Sequence, residues 1–328
     1  MHFIVTGAAG FIGSNLCEFL LDIGSDVIGI DNFNDFYNPK VKEYNVKDFV
    51  GHTNFSLYRC DILDKKALDQ VFRAQKDLGA LVHLAAWPGV TRSFDTPGVY
   101  VRNNLEATVN LLEMCRKYGV NNFIFASTSS VYGNSPAPFV ETMSTDFPLA
   151  PYPATKKACE VMLYTYAKAY GINVSVLRIF NPNGKRLRPD LAIPKLVKSC
   201  LYGYEFPMYW NNQTAAQSKR DYCYVNHIFD SIVHLAKKPY PYEIFNMGNS
   251  SPVSLVQLIE TVETVVGKKV KIIQKPPRPG EMNVTYANIE KAKKMAGYNP
   301  STSISQLVEI YYQWFLQQDE WYQKLTEV

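Results

Sequence analysis

No apolar run in the 328-residue sequence approaches the roughly 18 residues that a membrane-spanning helix needs, so no membrane association is expected. A basic segment ahead of an apolar stretch is also missing. The first apolar residues alternate with glycines, and a signal peptide is not expected. Charge of one sign is scarce as a block. Lys and Arg total 34 against 30 Asp and Glu, a net charge of +4, and no cluster of either stands out. That argues against nucleic acid as a partner and suits an anionic small molecule. The six cysteines are spread along the chain and none stands in C-x-x-C. Neither a disulfide framework nor a zinc site is expected, but rather reduced, buried thiols in a cytoplasmic protein. Cys223 and His227 have the spacing of a metal pair on one helix face, yet no third ligand of suitable spacing is near. A packed Cys and a surface His are expected there, and no metal is assigned.

What is present is a soluble globular composition, with 47% hydrophobic and 20% charged residues. The length is about twice an average domain. Short apolar runs at Phe3–Val5, Val27–Ile30, Phe55–Tyr58, Ala80–Leu84, Phe123–Ala126 and Val174–Leu177 read as buried strands. Helical spacing separates them: Phe11 to Ile23, Asp64 to about Lys76, and Val99 to Tyr118. This alternation implies an α/β fold, a Rossmann-type doubly wound parallel sheet covered on both faces. The pattern changes after about Ile179, where Pro and Gly become frequent. Helices at Ile193–Tyr202 and Leu255–Val266 follow, and the polar stretch Trp210–Lys219 reads as a surface loop. Residues 222–246 again read as strand, helix, strand and are expected to return to the first sheet. The expected division is a cofactor domain of residues 1–178 plus 222–246, interleaved with a smaller α/β substrate domain of residues 179–221 plus 247–328.

Gly7-Ala8-Ala9-Gly10-Phe11-Ile12-Gly13 lies between the first strand and the first helix. Glycine at such a turn lets the backbone approach a pyrophosphate, and the helix N-terminus offers free N–H groups and the positive end of its dipole. Eighteen residues beyond Gly13, at the end of the second strand, stands Asp31. An acid there accepts hydrogen bonds from ribose hydroxyls and repels a 2′-phosphate, which favours NAD over NADP. The plain alternative, a tight turn and a surface Asp, does not account for the coincidence of these parts. Asp61-Ile62 follows the third strand, where an Asp can bond an adenine amino group; an exposed loop aspartate is an equal reading.

Tyr152-Pro153-Ala154-Thr155-Lys156 puts a phenol and an ammonium on one helix face. The lysine, with a positive nicotinamide, can lower a phenol pKa that is otherwise near 10 and make the phenolate a usable base. The spacing is common by chance, and gains weight from Ser127-Thr128-Ser129-Ser130-Val131-Tyr132-Gly133 at the carboxyl end of a strand. A hydroxyl there can relay a substrate proton to Tyr152.

These motifs, with LAAWPGVTRS (Leu84–Ser93), RIFNPNG (Arg178–Gly184), RPDLA (Arg188–Ala192), RDYCYV (Arg220–Val225), NMGNSSPVS and RPGE (Arg278–Glu281), occur in the order of the extended short-chain dehydrogenase/reductase family. Within it the chain resembles the nucleotide-sugar 4-epimerases over nearly its whole length. The resemblance implies an isomerase with tightly held NAD and a UDP-sugar substrate, a cytoplasmic homodimer, and a place in carbohydrate metabolism and polysaccharide biosynthesis. Thr128, Tyr152 and Lys156 resemble the catalytic trio. Gly7, Gly10, Phe11, Ile12, Gly13, Asp31, Asn32, Asp61, Ile62, Asn104, Tyr152 and Lys156 resemble the cofactor contacts. Thr128, Ser129, Ser130, Asn181, Arg188, Arg220 and Arg278 resemble the UDP-sugar contacts, and guanidinium forks suit a diphosphate.

The implied reaction removes the C4-hydroxyl proton to Tyr152 and the C4 hydride to NAD, turns the 4-keto sugar over, and returns hydride to its other face. Dehydratases of the family carry acids where Ser129 and Ser130 stand, and its decarboxylases carry one where Ser130 stands. The serines therefore argue against both. Asp31 to Pro39 (DNFNDFYNP) and RPDLA resemble the UDP-glucuronate 4-epimerases, with Thr128-Ser129-Ser130 as donors to the sugar carboxylate. Asn181 instead resembles the UDP-glucose and UDP-GlcNAc epimerases, and both sugars stay open. A reductase with exchangeable cofactor and a non-catalytic NAD-binding protein are the other readings. Asn226-His227 is expected to alter only a helix cap, and His83 to be a hydrogen-bonded core residue. Trp87 lines the sugar site or caps the core. Tyr311–Tyr322 reads as an amphipathic helix on the body. The dimer helices implied by the family are Val99–Tyr118 and Tyr152–Tyr170.

Overall fold

The computed structural model describes residues 1–75, 77–209, 218–276 and 284–325. Its first half alternates β1 (His2–Thr6), α1 (Phe11–Asp22), β2 (Asp26–Asp31), α2 (Pro39–Val46), β3 (Phe55–Arg59), α3 (Lys65–Arg73) and β4 (Ala80–His83). A short helix α4 (Pro97–Tyr100) then runs through a π-helical stretch, Val101–Glu106, into α5 (Ala107–Tyr118). After these come β5 (Asn122–Thr128), α6 (Pro151–Tyr170) and β6 (Asn173–Ile179). The second half contains β7 (Pro182–Asn183), α7 (Ala192–Tyr202), β8 (Glu205–Tyr209), β9 (Lys219–Asp221), β10 (Cys223–Tyr224), α8 (Val225–Lys237) and β11 (Tyr242–Met247). It ends with β12 (Pro252–Ser254), α9 (Leu255–Val266), β13 (Lys271–Lys275), β14 (Val284–Thr285), α10 (Glu290–Ala296), α11 (Ile304–Leu316) and α12 (Glu320–Gln323).

Seven strands form one parallel sheet in the order β11-β6-β5-β4-β1-β2-β3. This is the Rossmann arrangement expected from the apolar runs. Alternate residues of each strand feed two cores. Phe3, Val5, Val27, Val82, Ile124 and Leu177 face one layer, and Ile4, Ile28, Leu81, Phe123, Phe125 and Val176 face the other. Burial on both sides is why these strands read as continuous hydrophobic runs. The first core continues into the later segments through Leu196, Leu258, Leu307 and Phe315. Arg186 adds a polar tie, forking onto Glu18 of α1 at 2.8 Å and 2.8 Å.

Three expectations are corrected. The helix read from Val99 starts at Pro97, whose ring suits the first helical position, and it carries the π-helical stretch before Ala107. Of residues 222–246, only β11 joins the main sheet; β10 pairs with β7 instead. The aromatic tail is two helices, broken at 317–319, with Tyr311, Phe315 and Tyr322 buried in the shared core. Of the polar stretch Trp210–Lys219, residues 210–217 lie outside the described residues, and Lys219 opens β9.

His83 bridges two layers. Its Nδ1 lies 2.7 Å from Thr6 Oγ1 and its Nε2 3.0 Å from Thr108 Oγ1. Thr108 gives its own proton to the Asn104 carbonyl, so Nε2 carries the ring proton and Nδ1 accepts from Thr6. Burial, with the nearby Lys156 charge, holds the ring's pKa well below 6.5. The folded ring therefore refuses a proton that the unfolded chain takes up, and stability is lost as pH falls through about 6.5. Urea unfolding followed from about pH 8 to about pH 5 should show this loss, and His83→Gln should remove that component of it.

Beneath the same sheet edge, Arg178 of β6 forks onto Glu160 of α6 at 3.0 Å and 2.7 Å, both side chains at most 2% exposed. Losing one partner strands a buried charge. Arg178→Met is expected to lose about 3–5 kcal/mol of unfolding free energy, most of it regained in Glu160→Met/Arg178→Met, as read by urea denaturation.

Candidate active site

The strand order reverses between β1 and β4, and the crevice above their carboxyl ends is where ligands bind in such sheets. A cavity of about 430 Å³ opens there, lined by the turn after β1, the ends of β2 to β6 and the start of α6. Its floor is the glycine turn. Gly7 has φ +72°, and its N–H donates to the Ile30 carbonyl at 2.8 Å. A Cβ on Gly13 would lie 2.0 Å from the Gly7 carbonyl oxygen, so the helix can approach the turn only without a side chain there. Gly10 is the N-cap of α1 and offers no capping side chain. The first-turn N–H groups at Phe11 and Ile12, residues that also line the cavity, have no partner within the helix.

Asp31 ends β2 with its carboxylate turned to the turn: it accepts from Ala9 N–H at 3.0 Å and from Phe33 N–H at 2.8 Å. Asn32 donates to Asp61 Oδ2 at 2.9 Å, and Asp61 also accepts from Leu63 N–H, so the ends of β2 and β3 form one polar rim with Ile62. Sequence reasoning missed Lys42 on this rim. It is buried on the cavity wall and donates to Asn34 Oδ1 at 2.8 Å; burial pulls its pKa down, while Asp31 and Asp35 oppose this. The signal was Asn38-Pro39, an N-cap and first helical residue that launch α2 and aim Lys42 back at Asp31.

At the other end stand the row Thr128, Ser129, Ser130 and the helix face of Tyr152 and Lys156. Burial raises the Tyr152 phenol above its usual pKa, while the neighbouring Thr128 hydroxyl and the Arg188 charge pull it back. Burial also lowers Lys156 to about 8, with Cys159 and Glu160 opposing. Its ammonium lies 4.1 Å from the centre of the Phe125 ring and has no hydrogen-bond partner among the described residues. A buried cation on a cavity wall calls for an external acceptor. Together with the side-chain-free cradle and the acid at the end of β2, it fits a dinucleotide.

Asn181 and Arg188 line the same cavity. Asn181 has φ +24°, and its amide donates weakly to the Asp221 carbonyl at 3.4 Å. The Arg188 fork lies on Asp190 at 2.9 Å and 2.9 Å. Arg220 is off the cavity wall, bonded to Ser218 Oγ and the Lys219 carbonyl. Arg278 and the RPGE run lie outside the described residues.

Asn104 is set behind the wall rather than on it. Its amide accepts from Trp87 N–H at 2.8 Å and donates to the Trp87 carbonyl and to Thr155 Oγ1, which clamps the loop after β4 to α6. Trp87 lines the cavity and packs edge-on against Phe36 and Tyr100. Cys223 turns its thiol to the Phe180 carbonyl, and His227 pairs with Thr302 rather than capping its own helix. No group of three potential metal ligands occurs among the described residues.

The chain is similar in sequence and fold to known proteins. A UDP-glucuronate 4-epimerase of Thermodesulfobacterium geofontis is 39% identical over 306 residues, covering 93% of this chain and 93% of that protein. The structure of a Bacillus cereus UDP-glucuronic acid 4-epimerase, in complex with UDP-glucuronic acid and NAD, superposes with a TM-score of 0.89 at 33% identity, covering 97% of this chain and 99% of that one. A Thermotoga maritima UDP-glucose 4-epimerase with UDP-glucose gives 0.85 at 28% identity, covering 97% and 99%. The family model described as GDP-mannose 4,6 dehydratase matches residues 4–311, and the chain belongs to that family, within the extended short-chain dehydrogenases/reductases.

Proposed function

We propose that the protein is an NAD-dependent UDP-glucuronate 4-epimerase, interconverting UDP-glucuronate and UDP-galacturonate. The observation that carries this reading is the acid-free row Thr128-Ser129-Ser130 at the end of β5, facing the same cavity as Tyr152. An acidic side chain there could move the C5 proton once C4 is a ketone; hydroxyls cannot, and they can instead donate to a sugar carboxylate. Holding that carboxylate matters, because a 4-keto uronate is a β-keto acid that loses CO₂ readily.

Gly7, Gly10, Gly13, Asp31, Asn32, Asp61 and Lys156 would hold NAD, with Asp31 disfavouring a 2′-phosphate. Bound there, the nicotinamide supplies the acceptor and later the donor of the C4 hydride. Tyr152 takes the proton of the C4 hydroxyl and gives it back to the same oxygen once the sugar has turned over. Thr128, beside the phenol, relays or steadies that proton. Lys156 keeps positive charge near the developing phenolate at neutral pH, since its pKa near 8 leaves it mostly protonated. Arg188, Arg220 and Arg278 are assigned to the UDP diphosphate. On this reading residues 1–178 and 222–246 serve NAD, and 179–221 and 247–328 serve the UDP-sugar.

Asn181 favours a second reading, a UDP-glucose or UDP-GlcNAc 4-epimerase. Incubation without added NAD with each of the three sugars, products separated by chromatography, decides between them. Conversion of UDP-glucuronate to UDP-galacturonate alone is expected; conversion of only a neutral sugar would overturn the uronate assignment. In the same assay Tyr152→Phe should keep bound NAD and lose about a hundredfold or more in turnover, and a near-normal rate would sink its role as the base.

Six free, buried cysteines suit a reducing cytoplasm, and a uronate product suits polysaccharide biosynthesis. A homodimer through α4–α5 and α6 would cover Val101, Val161, Tyr164 and Tyr170, each about half exposed. Sedimentation should find a dimer, and Val161→Glu should shift it toward monomer with the fold retained; a wild-type monomer would refute this assembly.

A further inference from the structure

One buried polar cluster is left unused by the chemistry above. Ser127 Oγ donates to Glu160 Oε1 at 2.6 Å, and Arg178 donates to both oxygens of the same carboxylate. These three residues lie on three elements, β5, α6 and β6. Their places are close to the reacting groups. Ser127 immediately precedes Thr128, the first hydroxyl of the row. Glu160 follows Lys156 by one helical turn and Tyr152 by two. Arg178 is the register partner of Ser127 across the sheet. From Arg178 the cluster continues under the ring of Tyr132, with the guanidinium 4.8 Å from its centre, and Tyr132 donates to Asn246 Oδ1 at 2.7 Å.

Stability is a poor reason for this arrangement. The ion pair is almost fully removed from water, and the second terminal nitrogen of Arg178 is buried without a hydrogen-bond partner. Well-packed apolar side chains in such a place are often as stable or more so. What an apolar contact does not supply is direction. A carboxylate gripped from two strands fixes the distance and rotation of α6 relative to the end of β5, and misplacing reacting groups by a fraction of an ångström is costly in rate.

We propose that Ser127, Glu160 and Arg178 form a positioning triad for the reaction proposed above, setting the Thr128–Ser130 row against the Tyr152–Lys156 face of α6 and so governing turnover rather than substrate affinity. The inference rests on the epimerase reading for its chemistry and on the cluster's own geometry for its placement.

The test compares wild type with Glu160→Met/Arg178→Met and with Ser127→Ala, each purified with its bound NAD quantified. Three readings are taken: melting temperature, amide exchange of the segment 126–131, and kcat and KM on UDP-glucuronate. The expected result is a folded double variant, melting close to wild type, whose exchange in that segment quickens. Its kcat should fall about tenfold or more with KM within about twofold, the signature of lost transition-state placement. Ser127→Ala, which leaves the ion pair intact, should shift the same two readings less. Folded, NAD-loaded variants with wild-type kcat, or with unchanged exchange in 126–131, would overturn the proposal. If the double variant fails to fold, Ser127→Ala decides by the same criteria. A wild-type protein inactive on UDP-glucuronate would strike the substrate assignment and not the triad: kinetics then move to UDP-glucose and UDP-GlcNAc, and the exchange reading stands without any substrate.

Discussion

The carboxyl edge of one parallel sheet carries nearly everything that meets in the cavity. Because the strand order reverses between β1 and β4, the connections leaving those strands diverge and leave a crevice that side chains do not fill. The acid of β2, the glycine turn after β1, the loop holding Trp87 and the hydroxyl row of β5 are successive stations along that edge. The whole depends on one close contact, the passage of α1 over the Gly7 carbonyl at a distance that forbids a Cβ at Gly13. A side chain there would lift the helix N-terminus off the floor and remove the dipole and free N–H groups from the crevice.

Charge in the site is governed by burial. Lys156 and Tyr152 are both held in their neutral direction by desolvation, the ammonium downward and the phenol upward. Each is opposed by neighbours of the right sign or polarity, Glu160 for the lysine, Thr128 and Arg188 for the phenol. His83 is kept neutral by burial and by the nearby Lys156 charge.

The parts legible in the sequence were those encoded by local pattern. Strand runs, the G-x-x-G-x-x-G turn, Asp31 at a strand end and the Tyr152–Lys156 spacing all follow from periodicity and from fixed offsets within one element. The parts that were not legible are contacts between elements distant in the chain. Asn104 resembles a cofactor contact in the sequence; nothing local shows that its amide, in the π-helical stretch, meets Trp87 and Thr155. Nothing local in the sequence shows that Glu160 and Arg178 are buried and that each cancels the other's charge. β10 read as a member of the main sheet because its Cys-Tyr pair looks like any short strand, and its partner β7 is only two residues long. Lys42 falls in an ordinary polar helix and is aimed by the cap at Asn38 rather than by its own spacing.

The choice of sugar turns on two features of unequal weight. The hydroxyl row is a property of the strand end itself: Thr128 ends β5 with its own hydroxyl accepting from Ser130 N–H at 3.2 Å, so the backbone and the row are made together. Asn181 lies in the left-handed region, and its amide contact with Asp221 is long. Asp221 in turn is a fully buried carboxylate that takes N–H bonds from Ala287, Asn249, Ser250 and Ser251. Asparagine tolerates the left-handed conformation better than a β-branched residue does. The backbone at 181 is therefore a sufficient reason for Asn, without any demand from the sugar. A feature with a local backbone cause weighs less as evidence about the ligand than one without, and on that ground Ser129 and Ser130, which line the cavity and cap nothing, are the better guide to the substrate.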